Sequence, residues 1–242
     1  MPADRFFVAG VHECGDRVHV GGADARKIRT VLRKRTGDRV EIVDSGGRCF
    51  RATLMLHARR VEAELVEVLA TRADAGEGLV ITVAQSVPKG TKMDFVVEKL
   101  TELGVSQIVP LLSQRVIARA EGAKIARWRR LARVAAQQSG GLSVPVVADA
   151  ITTHELAQTF SRYDRVLLAW ELADPVALRD VLPDLLKSAQ SVLAIIGPEG
   201  GFSADEGDEF LAHGATAISL GTRILRTETA ALVLASILRY IR

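Results

Sequence analysis

Apolar and polar residues alternate through the first seventy positions. Arg17–Val20, Arg39–Val43, Cys49–Leu56 and Val61–Val68 each carry a two-residue period between Gly- and Asp-containing turns, which predicts strands. One interval changes period: Ala23–Arg33 puts Ile28, Val31 and Leu32 on one helical face, with Arg26, Lys27, Arg29 and Arg33 elsewhere. The stretch Thr71–Gly78 (TRADAGEG) has no apolar period and two glycines, so it reads as a linker between a domain at 1–72 and another at 73–242.

Beyond the linker the pattern becomes strand, helix, strand. Leu79–Ala84 is an apolar run, and Met93, Val96, Val97, Leu100 and Leu103 then recur at helical spacing. Strand Gln107–Leu111, a basic helix from about Lys124 to Gln138, and strand Val144–Val147 follow. Thr152 with Glu155, and Ser203 with Glu206, have the spacing of capping boxes that open helices. Strands Arg165–Trp170, Ser191–Ile196 and Ala217–Leu220 and a helix from Thr227 complete the chain. This alternation predicts an α/β domain, a parallel sheet with helices on both faces. The uncharged stretch Thr229–Leu238 is too short to span a bilayer, and a helix apolar all round belongs in a core or a subunit interface.

Composition narrows the class. Across 242 residues, 48% are hydrophobic and 25% charged, as in an ordinary globular chain. Cys14 and Cys49 are too few for a disulfide scaffold, and the five histidines lack the spacing of metal ligands. The opening MPADRFF has no apolar signal region, so a soluble, cytoplasmic protein without metal or membrane is expected. The net charge of +3 hides an asymmetry: residues 1–75 carry +3, residues 76–145 carry +5, and residues 146–242 carry −5. A basic front half suggests a polyanion partner, although a solvated charged surface explains it equally well.

Two turns could carry chemistry, because ligands of parallel α/β sheets bind beyond the carboxyl ends of strands. The first is GPEGGFS, Gly197–Ser203, which follows an apolar strand and leads into a capped helix. It lacks the GK[ST] ending of a phosphate loop, and Glu199 would repel a phosphate, so a neutral or cationic ligand fits better than an anion. An ordinary strand-to-helix turn is the alternative. The second is LGTRILRTETAA, Leu220–Ala231, where Arg226 and Glu228 precede the uncharged helix. They form either a structural ion pair or the edge of a ligand pocket. On the basic helix, Arg127, Arg130 and Arg133 mark either a solvated face or a contact for RNA phosphates.

Taken together, KGTKMDFVVEKLTELGV (Lys89–Val105), the QQS segment, IIGPEGGFSADE (Ile195–Glu206) and LGTRILRTETAA occur in one order over nearly the whole chain. They resemble the 16S ribosomal RNA uridine N3-methyltransferases, the RsmE type of the SPOUT class. The N-terminal RFFV and Val31–Asp44 are similar to that family's PUA-like RNA-binding domain. The resemblance implies a small N-terminal β-rich barrel, and a C-terminal parallel sheet with a trefoil knot that binds S-adenosylmethionine. It further implies a homodimer and ribosomal RNA of the small subunit as substrate. A non-catalytic RNA-binding or ribosome-assembly factor with the same fold is the alternative, and a nucleotide-binding α/β enzyme is disfavoured by the missing phosphate-loop signatures.

Carried over by position, the resemblance places the cofactor on three loops. These are Leu168, Ala169 and Trp170; Ile196, Gly197, Pro198, Glu199, Gly200 and Gly201; and Leu220, Gly221, Ile224, Leu225, Arg226, Thr227 and Thr229. Arg226 is the expected stabiliser of a uridine anion, and Glu228 is expected to orient Arg226 or accept the proton. RNA contacts are expected from Arg29, Arg33, Lys89, Arg115, Arg127, Arg130, Arg133 and Gln138, apart from the cofactor site. The chain departs from the family's pattern where an acidic residue is usual at Gln137 and an arginine at Gly141. Ser143 likewise replaces an often basic residue, and Arg26 a frequent histidine.

Overall fold

The structure, a computed structural model, describes residues 4–72, 78–115, 122–170 and 176–240. Residues 73–77 of the expected linker lie outside them. The chain divides into two compact units, Met1–Glu77 with Ala136–Ser143, and Gly78–Ala135 with Val144–Arg242.

The first unit is a five-stranded sheet of β1 (Arg5–Phe7), β2 (Arg17–Val20), β3 (Arg39–Val43), β4 (Cys49–Leu56) and β5 (Val61–Ala70). The order is β1-β3-β4-β5-β2, with β1 parallel to β3 and the remaining pairs antiparallel. Alternation sorts the side chains: Val18 and Val20 are buried while Arg17 and His19 face solvent. They join Phe6, Ile42, Phe50 and Leu54 in one core.

The helix expected over 23–33 is shorter and two-part. Helix α1 (Gly22–Arg26) runs into one π-helical turn, Lys27–Val31, which seals Ile28 into the core. The chain leaves through Arg33 at φ 52, and the Lys34 amide donates to Ile28 O at 3.0 Å. A left-handed residue reverses the chain there, at a cost an arginine meets less easily than a glycine.

The second unit opens with β6 (Val80–Ser86), α2 (Lys92–Glu102), β7 (Gln107–Leu112) and α3 (Gly122–Ser139), whose residues from Ala136 on group with the first unit. Next come β8 (Val146–Val147), β9 (Ile151–Thr152), α4 (Thr153–Ala157) and β10 (Arg165–Ala169). The chain ends with β11 (Val176–Ala177), α5 (Leu178–Ser188), β12 (Ser191–Ile196), α6 (Ala204–Ala212), β13 (Thr216–Ser219) and α7 (Thr227–Tyr240). The strands form one sheet in the order β11-β13-β10-β12-β6-β7-β8, with β9 also paired to β7, and every pairing is parallel.

Strand β12 shows why the sheet needs cover on both faces. Val192, Ala194 and Ile196 enter a core with residues of α2, α3, α5 and α7, whereas Leu193 and Ile195 enter one with α4 and α6. Both capping boxes form. The Thr152 and Ser203 hydroxyls accept from the Glu155 and Glu206 amides, and each glutamate accepts from the cap residue's amide. After β13 the chain returns to α7, which packs against β6, β12 and α2. Helix α7 is buried along Ala230, Ala231, Leu234, Ala235 and Leu238, but Leu232, Val233 and Ile237 are only half-buried and Tyr240 is exposed. Within one chain it is therefore covered on one side, not on all sides. Among the described residues no helix is long and apolar enough to cross a membrane.

Candidate functional site

The adjacent strands β13, β10 and β12 end together, and their carboxyl ends frame a cavity of about 410 Å³. The loop after β10 supplies Ala169 and Trp170, and the turn after β12 supplies Ile196, Gly197, Pro198, Glu199 and Gly201. The long return from β13 supplies Leu220, Gly221, Ile224, Leu225, Arg226 and Thr227. Of the positions expected to hold a cofactor, Leu168, Gly200 and Thr229 are not in the lining. Leu168 is fully buried in the core with α4 and α6, as the alternation along β10 requires. The lining also includes Phe202, Ile218, Ser219, Thr222, Arg223 and Ala230, which the motif-based expectation omits.

Glycines shape the first wall. A side chain at Gly197 would press on the Phe202 ring at 3.2 Å, so this glycine lets the turn fold back over that buried ring. Gly201 has φ +68, and a Cβ there would point into open space. Glu206 does more than cap α6: one carboxylate oxygen accepts from the Ser203 amide at 3.0 Å, and the other accepts from the Gln114 amide at 2.8 Å. That carboxylate ties the turn to the loop after β7.

The second wall is joined to the first by hydroxyl and amide. Thr227 Oγ1 donates to Gly197 O at 2.6 Å, and Gln85 Nε2 donates to Thr227 Oγ1 at 2.8 Å and to Ser86 O at 2.9 Å. Gln85 is fully buried, so this chain of bonds fixes the end of β6, the start of α7 and the glycine turn in one register.

Of the two readings of Arg226 and Glu228, the structural ion pair does not form among the described residues, and charge at the mouth is arranged around Lys92 instead. Glu199 Oε1 accepts from the Lys89 amide at 3.2 Å and lies 3.0 Å from Lys92 Nζ. Burial works to raise the Glu199 pKa, but its own amide, the Lys92 ammonium and the Lys89 amide together hold it below the ordinary glutamate value. Glu228 sits outside the lining, with Oε2 at 3.7 Å from the same Lys92 ammonium. Arg226 lines the cavity and makes no ion pair among the described residues. Among those residues, no group of three or more His, Cys, Asp or Glu is placed to hold a metal ion.

Of the residues expected to meet RNA, Arg29, Arg33 and Gln138 belong to the first unit and Lys89, Arg115, Arg127, Arg130 and Arg133 to the second. Arg29 donates to His57 O and Arg60 O and so braces the β4–β5 turn, and Arg33 is exposed. Arg127 pairs with Asp94, which also accepts from Trp128 Nε1 at 3.0 Å. Arg130 and Gln138 are exposed, whereas Arg133 is half-buried. Arg115 donates to Gly200 O, and the Lys89 amide bonds Glu199. Those two belong to the frame of the cavity, and the expected separation of basic residues from the cofactor site does not hold for them. Lys92, Gln85 and Glu206 were not expected at the site; Lys92 had a signal as the second lysine of KGTKMD and Glu206 as the capping-box glutamate after the glycine turn, whereas Gln85 had none.

The RNA methyltransferase domain family matches residues 76–239. A ribosomal RNA small subunit methyltransferase E from Synechocystis is 33% identical over 210 residues, which cover 86% of this chain and 68% of that protein. The chain belongs to the ribosomal RNA small subunit methyltransferase E family. A member of that family from Neisseria gonorrhoeae, solved bound to S-adenosyl methionine, superposes with a TM-score of 0.84 at 31% identity, over 99% of this chain and 98% of that one. A Legionella pneumophila protein solved in complex with the bound cofactor SAM gives a TM-score of 0.85 at 27% identity, over 100% and 98% of the two chains.

Proposed function

We propose that this chain is an S-adenosylmethionine-dependent methyltransferase that methylates N3 of a uridine in 16S ribosomal RNA. The observation that carries the reading is the cavity at the ends of β13, β10 and β12, walled by the glycine turn of a family whose relatives are solved with this cofactor. The cavity fits the group chemically. Its volume lies within the range of small-molecule sites, about 300–1,000 Å³. Gly201 leaves the wall open, Ala169, Ile196, Ile218 and Leu225 are apolar, and Glu199 suits a cation and not a phosphate.

When bound, the cofactor supplies an already activated methyl group, so the protein's work is orientation and charge. Uridine N3 must lose its proton, and the resulting anion spreads over O2 and O4. Arg226, like Arg223, lines the cavity without an ion pair among the described residues, and its place in the LRTETA motif suits it to stabilise that anion and let a weak base suffice. Glu228 stands behind the lining against Lys92, and it acts through that ion pair instead of by orienting Arg226.

The first unit serves as a PUA-like RNA-binding domain, supported by its small β-rich sheet and its exposed arginines. The return from β13 to a helix packed on β6 and β12 supports a trefoil knot, and the half-covered side of α7 supports a homodimer. A cytoplasmic site of action follows from a ribosomal substrate.

Calorimetry with S-adenosylmethionine tests the reading. Gly201→Val adds a branched side chain at a lining position, whereas Gly214→Val meets the same left-handed strain, φ +97, at a position outside the lining. Wild type and Gly214→Val should bind, and folded Gly201→Val should lose at least tenfold in affinity, about 1.4 kcal/mol. Equal affinity in all three would place the cofactor elsewhere.

A further inference from the structure

Lys92 stands in the first turn of α2, and among the described residues it alone forms ion pairs with both Glu199 and Glu228. The separations are 3.0 Å and 3.7 Å. Glu199 faces the cavity, while Glu228 Oε2 is shut off from solvent and has no hydrogen-bond partner. Lys92 is thus the cation within ion-pair distance of that buried oxygen. Its own pKa is raised, chiefly by the hydrogen bond to Glu199, and the charge of Arg226 opposes that rise. Two carboxylates and two cations therefore stand together, with formal charges that cancel.

We propose that Lys92 is a specificity-determining residue that sets how strongly the cavity prefers the sulfonium donor over its thioether product. The inference rests on the reading that the cavity holds S-adenosylmethionine. The donor carries one more positive charge than S-adenosylhomocysteine, so the preference follows the net charge around the cavity. With Lys92 in place those four groups cancel, and Arg223, which also lines the cavity, leaves about one positive charge. Without it, the two carboxylates are matched only by Arg226 and Arg223, one positive charge is gone, and the cationic donor gains relative to the product. Tighter donor binding of this kind does not speed the reaction, because the sulfonium charge fades in the transition state while the ground state keeps the full attraction.

The test is calorimetry of both ligands on wild type, Lys92→Met, Lys92→Arg, Glu199→Gln and the Lys92→Met/Glu199→Gln double variant, at low ionic strength to limit screening. Lys92→Met should raise the ratio of product to donor Kd on the order of fivefold, as expected for one charge near a partly exposed site. Glu199→Gln should lower the ratio by a similar factor, the double variant should return it near wild type, and Lys92→Arg should leave it unchanged. A ratio within twofold of wild type in Lys92→Met would overturn the proposal. Equal loss of both ligands would do the same, since that is what a purely structural prop produces. A wild type that binds neither ligand would overturn the underlying reading of the cavity instead.

Discussion

Gln137 lies between an acid and a base. Its amide donates to buried Asp24 Oδ1 at 2.9 Å, and its carbonyl oxygen accepts from Lys27 Nζ at 3.3 Å. A neutral amide can serve both neighbours because it carries a donor and an acceptor; an ionised glutamate carries only acceptors. The departure from the usual acidic residue is thereby accommodated within the first unit by Asp24 and Lys27. Gln137→Glu should cost about 1–3 kcal/mol, because a buried carboxylate would face another in place of a donor. The variant's deficit should shrink as pH falls through the carboxylate range, since protonating one of the pair restores a donor. Thermal unfolding at two pH values reads both effects. A variant as stable as wild type at neutral pH would show that Lys27 alone decides the site.

At the level of elements, α6 can approach the cavity because Gly207 has no side chain. A Cβ there would stand 2.2 Å from the six-membered ring of Trp170, and a buried indole has no room to yield. Gly207→Ala should therefore destabilise the second unit by about 1–3 kcal/mol and shift Trp170 fluorescence, while an alanine in an exposed helix would stabilise. An unchanged melting temperature and emission would mean that the helix can slide at little cost.

The elements that the sequence revealed are those whose cause is local. Strands β2, β3, β4 and β12 have the bounds their alternation or apolar run predicts, and the two capped helices start where their boxes stand. Helix α5 is not among those elements although Leu178, Val181, Leu182, Leu185 and Leu186 fall at helical spacing, because Pro183 inside it reads as a breaker, and β9 and β11 are two residues each, too short to show a period. The glycine turn was legible as residues, but its clamps were not. Lys92 to Glu199, Gln114 to Glu206 and Gln85 to Thr227 join positions 107, 92 and 142 residues apart, and nothing along the chain records such distances.

Across the whole molecule, the division between units does not follow a single cut in the chain. Residues Ala136–Ser143 belong with the first unit, where Leu142 is buried with Val43 and Cys49. Removing residues 1–72 would uncover that leucine, so such a truncation cannot isolate the cofactor domain cleanly. The intact chain is the proper subject for the reaction itself. Incubated with 16S ribosomal RNA and S-adenosylmethionine carrying an isotopically labelled methyl group, it should place one labelled methyl on a uridine. Digestion and mass spectrometry should locate the label on the base, and reverse transcription should stop at that nucleotide, because methylation at N3 removes the donor used in pairing. Label on another base, on the ribose or on a carbon of uracil would contradict the assignment. So would RNA and cofactor that both bind without any transfer, the behaviour of an assembly factor that keeps the fold without the reaction.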